Sequence, residues 1–392
     1  MIARLLSRGQ RAGRGDDSPG TDASLLYAVV FALGFGLVMM ASASFGVAER
    51  ELGQPSYYLM HQLGYIGVSV LAGFLVYSSL SLEFLERHSG KLLIAAFALL
   101  ILVLIPGVGR EVNGSTRWLS LGVVRVQPSE FAKLFTFIYL AGYLVRRGDE
   151  VRNAVRGFVK PMAVLAVLCV LLLAEPDFGA AAVLMGTAMG MMLLGGVRIW
   201  QFGVLLVFVV CALAVLAVSS PYRMARITAF LNPWADPFAS GFQLTQALIA
   251  FGRGEWFGVG LGGSIQKLFY LPEAHTDFLF AVIAEELGLA GSIAVIALFT
   301  FIVARSFMIA RRAETAGRPF ASYLASGLGL WFGLQAYTNI AVNMGLLPTK
   351  GLTLPLMSYG GSSMLAACIA MGLLLRIERE TRRVLQRHVG TY

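Results

Sequence analysis

Charge is what this 392-residue chain has least of: only 14% of its residues are Asp, Glu, Lys or Arg, against roughly a quarter in soluble domains. That scarcity excludes an ordinary water-soluble globule. Cysteine is scarcer still. Cys169, Cys211 and Cys368 each stand inside an apolar stretch, an odd total without metal-ligand spacing, which excludes a disulfide framework and a cysteine-based zinc site. His61, His88, His275 and His388 are scattered with no two at ligand spacing, so no histidine metal centre is expected. Nucleotide motifs are missing too: there is no phosphate loop, and Gly258-Val-Gly260-Leu-Gly262-Gly263 lacks the preceding strand and the ribose-binding acid of a dinucleotide fold. ATP is thereby set aside as an energy source. Residues 1–23, with Arg4, Arg8, Arg11 and Arg14 among Gly and Ser, hold no apolar stretch ahead of a cleavage site. They read as a disordered cytoplasmic tail, not as a cleaved signal peptide.

What the chain does have is apolar sequence. It is 57% hydrophobic with a mean hydropathy of +0.73, and the apolar residues are bunched into runs near the ~20 residues that cross a bilayer. Runs fall near 25–45, 58–79, 91–107, 128–145, 161–175, 178–196, 199–219, 277–304, 320–345 and 357–376. The fold class is therefore an all-α polytopic membrane protein of about ten transmembrane helices, one membrane domain over 24–376 followed by a cytoplasmic tail at 377–392. The net charge of +9 is distributed between the runs and not along one face, so it reports topology and not nucleic-acid binding. The positive-inside rule puts both termini, Arg87, Lys91, the stretch Arg146 to Lys160, Arg198 and the stretch Arg305 to Arg318 on the cytoplasmic side. The other side receives 108–127, the hairpin 175–178, the large loop 220–276 between spans seven and eight, and 346–356. Function is expected there. Tyr222, Phe230, Trp234, Phe242, Leu248 and Trp256 give the large loop helix-like apolar spacing, which fits amphipathic helices at the membrane interface.

Three clusters on that side carry chemistry. In PEAHTDF at 272–278, Glu273, His275 and Asp277 sit where the loop becomes a span, so Asp277 either caps a helix or serves as a general base. Glu285 and Glu286 follow about 12–14 Å along the same helix, where a structural polar network is the favoured role. The second cluster, NGSTRWLSLGVVRVQPSEFAK at 113–133, supplies Arg117, Trp118, Arg125, Glu130 and Lys133. Glu130 and Lys133, three apart on one helix face, form either an ion pair or part of a surface for a lipid pyrophosphate and its sugar. The Asn113-Gly114-Ser115 sequon reads as a chance match. In the third cluster, Lys350 precedes SYGGSS at 358–363, whose Ser358, Ser362 and Ser363 make either a tight turn or an anion-binding helix start. EPDFG at 175–179 places two acids in a hairpin, read as structural in preference to cation-binding.

Taken together, Arg117-Trp118, QPSE at 127–130, EPDFG, PEAHTDF and SYGGSS resemble the SEDS family (shape, elongation, division and sporulation), and within it the proteobacterial division branch. The likeness covers residues 24–376. It implies ten spans and a peptidoglycan glycosyltransferase that polymerises lipid II on the periplasmic face during septum formation, in the inner membrane of a dividing cell. The family's catalytic Asp falls on Asp277, its Arg-Trp pair on Arg117 and Trp118, and its positions around the fourth span on Arg125, Glu130 and Lys133. The implied partners are a class B penicillin-binding protein, FtsI, and the divisome proteins FtsQ, FtsL, FtsB and FtsN, within membrane lipid. The leaving pyrophosphate asks for positive charge, from Arg117, Arg125, Lys133 and Lys350, and leaves room for a divalent cation, Mg or Mn, without requiring one. Two competing readings are a lipid II flippase leaning on Glu285 and Glu286, and a silent scaffold that recruits division enzymes.

Overall fold

The computed structural model describes residues 22–112, 115–121, 124–218, 224, 228, 230–237 and 241–389. The N-terminal tail up to residue 21, the Asn113-Gly114 pair of the sequon and part of the 220–276 loop, including Tyr222, lie outside these.

Each apolar run becomes a helix: α1 (Ala23–Leu52), α2 (Tyr57–Ser79), α3 (Leu82–Leu104), α4 (Pro128–Asn153), α5 (Val155–Ala174), α6 (Phe178–Leu194), α7 (Ile199–Val218), α9 (Leu279–Thr315), α10 (Pro319–Asn343) and α11 (Gly361–Val389), with α8 (Phe242–Gly254) in the long connection. The ends obey local chemistry. Asp22 and Ser81 accept the N–H groups of Leu25 and Phe84 at the starts of α1 and α3. Pro128 and Pro319 open α4 and α10, where a missing N–H is no loss. Among the described residues six helices (α1, α2, α3, α5, α9 and α11) are long and apolar enough to cross a membrane, and α6 and α7 add shorter apolar runs. Helices α4 and α10 stand apart because they are interior. They pack on each other, α4 also against α3 and α10 against α9 and α6. Five of their polar residues, Glu130, Lys133, Gln335, Asn339 and Asn343, are buried. The outer helices show the opposite pattern: Val68, Leu71 and Phe74 of α2 and Ile94 of α3 are exposed, as suits helices that have lipid for solvent.

Three features add to or differ from the sequence reading. The segment between α3 and α4 carries strands. They form an antiparallel sheet of β1 (Gly109–Val112), β2 (Ser115–Leu121) and β3 (Val124–Val126), in the order β1-β2-β3, with Arg110 opposite Trp118 and Ser120 opposite Arg125. The period-two alternation of Thr116, Trp118 and Ser120 with Arg117, Leu119 and Leu121 accounts for it. Next, α11 runs on to Val389 through the stretch read as a tail, and Arg312 and Arg382 both pair with Glu378 while Arg318 pairs with Glu380. Third, α8 turns Leu244, Ala247 and Ala250 inward and packs Phe251 against Phe280 of α9, ring centres 5.7 Å apart and tilted, so its apolar face covers protein.

Helix α9 is broken at Gly288, whose φ is +67°. The break frees carbonyls and N–H groups, and the segment after α8 satisfies them: Val259 and Gly260 donate to the carbonyls of Glu285 and Glu286, and Leu289 and Ala290 donate to those of Glu255 and Trp256.

Candidate active site

The turn 272–278 leads into α9 and is folded by its own main chain, with the N–H groups of Thr276 and Phe278 both donating to the carbonyl of Glu273 at 3.2 Å. Glu273 takes φ +57°, and its carboxylate accepts the Thr276 hydroxyl at 2.6 Å. The first residue outside α9 is Phe278, and no side chain of the turn caps the helix. The capping role considered for Asp277 is therefore not the one it plays.

The Asp277 carboxylate instead faces Gly351. A methyl group placed on Gly351 would lie 3.3 Å from Asp277 Oδ2 and 4.0 Å from an Arg117 guanidinium nitrogen, so the acid and the base flank one glycine. Burial pushes the Asp277 carboxyl up to about 7, with Glu273 and Asp177 adding to the shift and Arg117 opposing it. Arg117 is held in place from β2 by donating to the carbonyls of Glu175, at 3.1 Å, and Pro176. Trp118 follows it in the strand and so projects to the opposite face of the sheet.

The hairpin that Arg117 grips is anchored from beneath. Asp177 caps α6 by accepting the Ala180 N–H at 3.0 Å, and its other oxygen accepts from Ser129 and Gln127, both at 3.1 Å. This bears out a structural role for the hairpin. Lys350, beside Gly351, lies over the Phe178 ring at 5.1 Å, which brings a second cation to the same end of the bundle.

The serines are tied into the turn that closes this end. Ser358 accepts the Leu354 N–H at 3.0 Å, Ser362 accepts the Gln127 N–H at 2.8 Å, and Ser363 lies 2.9 Å from Thr353 Oγ1. His275 packs against Tyr58 and Tyr359, ring centres 4.7 and 5.6 Å away, and burial lowers its pKa against the pull of Glu273 and Glu51. Arg125 stands exposed on β3. Lys133 is elsewhere: it is fully buried, 3.0 Å from Glu130 Oε1 and 3.0 Å from Gln335 Oε1, with the Trp331 ring 5.3 Å away. Its charge supports the site from within the bundle.

Glu285 and Glu286 belong to the break in α9. Glu285 pairs with Arg253 at 2.8 Å and accepts from Ser264 and the Ile265 N–H, while Glu286 accepts from Lys267 at 2.7 Å and Ser42 at 2.8 Å. Among the described residues no three His, Cys, Asp or Glu side chains are grouped to hold a metal ion. Of the carboxyls that act on Asp277, Glu273 accepts the Thr276 hydroxyl and Asp177 caps α6.

Sequence reasoning passed over Gln335, Asn339 and Asn343. Asn339 and Asn343 both donate to the Asp277 main-chain carbonyl, at 2.8 and 3.0 Å. The available signal was three amides at four-residue intervals inside an apolar run, where polar groups face protein or function.

A family model described as cell cycle protein, that of FtsW, RodA and SpoVE, matches residues 23–383. The chain is 59% identical over 360 residues to the "Probable peptidoglycan glycosyltransferase FtsW" of Thioalkalivibrio sulfidiphilus, covering 92% of this chain and 90% of that one. It is 57% identical over 381 residues to the protein of the same name from Nitrosococcus halophilus, covering 97% of each. Among solved structures it resembles a chain from a study of how a peptidoglycan synthase complex coordinates polymerization and crosslinking, with a TM-score of 0.76, 31% identity and coverage of 92% and 98%. It also resembles the rod shape determining protein RodA of Thermus thermophilus, with a TM-score of 0.67, 29% identity and coverage of 92% and 97%.

Proposed function

This chain belongs to the FtsW, RodA and SpoVE family of cell cycle proteins, and we propose that it is a multi-pass membrane peptidoglycan glycosyltransferase that polymerises lipid II into glycan strands for the division septum. In the reaction the 4-hydroxyl of the incoming lipid II GlcNAc attacks the anomeric MurNAc carbon of the growing chain, the new glycosidic bond forms, and undecaprenyl pyrophosphate leaves. Asp277 takes the hydroxyl proton. The observation that supports this assignment is the proximity of Asp277 and Arg117 to one glycine, Gly351: a carboxyl lifted toward neutrality is matched to proton transfer near pH 7, and a guanidinium held by the Glu175 and Pro176 carbonyls is available to negative charge that develops beside it. Arg117 and Lys350 receive the pyrophosphate, which already leaves well and needs charge more than a general acid. Trp118, Arg125, Glu273 and His275 line the approach, Ser358, Ser362 and Ser363 shape the turn beside it, and Glu130 and Lys133 brace it. No step is routed through a metal: among the described residues no three His, Cys, Asp or Glu side chains are grouped to hold one.

The membrane domain spans 24–376 with the site on the periplasmic side of the inner membrane and both termini in the cytoplasm, as the distribution of Lys and Arg supports. A class B penicillin-binding protein of the FtsI type is the inferred partner, in keeping with the resemblance to a chain of a synthase complex, and FtsQ, FtsL, FtsB and FtsN are its inferred activators. The flippase alternative gains nothing from Glu285 and Glu286, which are paired and hydrogen-bonded.

The test is polymerisation of labelled lipid II by purified protein reconstituted with its transpeptidase partner. Wild type is expected to make long glycan strands and Asp277→Asn, folded and partner-bound, none. Equal activity of the two overturns the assignment of Asp277, and transbilayer movement of lipid II without polymerisation by either replaces the enzyme with a transporter.

A further inference from the structure

One face of α10 carries Gln335, Asn339 and Asn343 at four-residue spacing, so the three amides form a single row along the helix. All are buried, at 2%, 2% and 0% exposure. A buried amide is costly unless hydrogen-bonded, and each of these bonds main chain at the active-site end. Gln335 Oε1 accepts from Trp331 Nε1 at 2.8 Å and from Lys133 Nζ at 3.0 Å, which orients the amide so that Nε2 donates to the Thr353 carbonyl at 3.3 Å. Asn339 Nδ2 donates both to the Asp277 carbonyl at 2.8 Å and to the Leu352 carbonyl at 2.5 Å. Asn343 Nδ2 donates to the Asp277 carbonyl at 3.0 Å, and its Oδ1 accepts the Ala281 N–H, in the first turn of α9, at 3.1 Å.

The row thus joins two stretches of chain that no other side chain is seen to join among the described hydrogen bonds: the turn that ends at Asp277, and residues 352–353 next to Gly351. Helix cohesion alone does not explain it. Apolar residues of similar volume would pack α10 at least as well as a buried polar row. Two donors converging on the carbonyl of one residue mark a position that is held.

We propose that Gln335, Asn339 and Asn343 are positioning residues for glycosyl transfer, fixing the Asp277 main chain against the 352–353 segment and so setting the distance of its carboxylate from Arg117 and from the sugar hydroxyl. The inference rests on the reading of Asp277 as the base. It assigns the row no contact with substrate.

Asn339→Leu and Asn343→Leu keep the volume and delete the donors. In lipid II polymerisation by the reconstituted full-length protein, each is expected to lower kcat by about 10–10²-fold, the penalty of a small misplacement of reacting groups, with KM for lipid II little changed. The acid limb of the pH profile should move as well, because the surroundings of the carboxylate have changed. Asn339→Ser, which retains one donor, should recover part of the rate. Asp277→Asn is run beside them. If it is inert while the Leu variants polymerise at the wild-type rate with an unmoved acid limb, the positioning role is overturned and the base stands. If Asp277→Asn itself polymerises, the base reading falls and takes the positioning role with it. A lowered melting temperature with kcat and acid limb unchanged also overturns it. Should the Leu variants not survive extraction, Asn339→Ser and Asn343→Ser decide on the same readouts: a reduced kcat with a moved limb supports the role, and wild-type values refute it.

Discussion

Arg117 grips the main chain of Glu175 and leaves its carboxyl alone: the guanidinium donates to the Glu175 carbonyl at 3.1 Å, while neither carboxyl oxygen, fully buried, has a hydrogen-bond partner among the described residues. Burial pushes this carboxyl up to about 8, Asp177 adds to the rise and Arg117 opposes it. The shift favours the neutral form.

A folded-state pKa above the unfolded value means that the folded chain holds the proton more tightly. The stability this contributes is complete below the ordinary Glu value of 4.5 and is lost as pH rises toward about 8. Glu175→Gln removes that loss. Its melting temperature in detergent should match wild type at pH 5 and exceed it at pH 9, and polymerisation at pH 7 should survive the change. Parallel melting curves across this range would show that the carboxyl ionises without penalty.

Asp277 obeys the same sign with the opposite consequence for activity. Its carboxyl, raised from 3.8 to about 7, must be ionised to accept a proton, so kcat/KM should fall as pH drops through about 7. Stability runs the other way, present below 3.8 and lost toward 7. Asp277→Asn is therefore expected to be inert yet harder to melt than wild type at pH 8, with the difference closing at pH 5. An Asn variant that melts lower than wild type at pH 8 contradicts a carboxylate held at the expense of stability.

These two acids also show how far the sequence can be read. That Asp277 stands where a loop enters a span is visible from the apolar run that follows it. That its carbonyl is held by Asn339 and Asn343, 62 and 66 positions away, is not, because local pattern carries no information on which interior helices pack together. The row of amides was visible as polar residues at helical spacing, without its targets. Lys133 and Glu130 illustrate a second limit: residues three apart share a helix face, but nothing local says whether that face meets water or Trp331 and Gln335. The sheet at 109–126 was legible as alternation and was masked by its place among helices.

Burial makes the Lys133–Glu130 pair a sharp test. At 0% and 6% exposure, with Nζ and Oε1 3.0 Å apart, the two charges compensate each other where water cannot. Removing one partner leaves an uncompensated buried charge and costs about 3–5 kcal/mol. Lys133→Met and Glu130→Leu, each alone, should lower the melting temperature markedly. The double variant should recover most of the loss, since apolar replacement of both is close to neutral. Additive losses in the double variant would mean the pair is not coupled.

The break in α9 gives the last prediction. Gly258 has φ +80°, and a methyl group there would come within 2.1 Å of the Glu286 carbonyl oxygen, while one on Gly254 would come within 1.9 Å of the Ala284 carbonyl oxygen. The approach is needed because Val259 and Gly260 must reach the carbonyls freed at Gly288. Gly258→Ala carries about 1–2 kcal/mol from its backbone conformation alone, and the overlap adds to it by pushing the segment off the helix. Glu285 and Glu286 then lose the Ser264, Ile265 and Lys267 contacts that neutralise them, so the damage should spread along 255–267. Gly252, beside which a methyl group meets nothing within 4 Å, is the control. Gly252→Ala should melt like wild type and Gly258→Ala well below it, with faster proteolysis after Arg253 or Lys267. Equal melting of the two alanine variants would show that the segment is not clamped to the break.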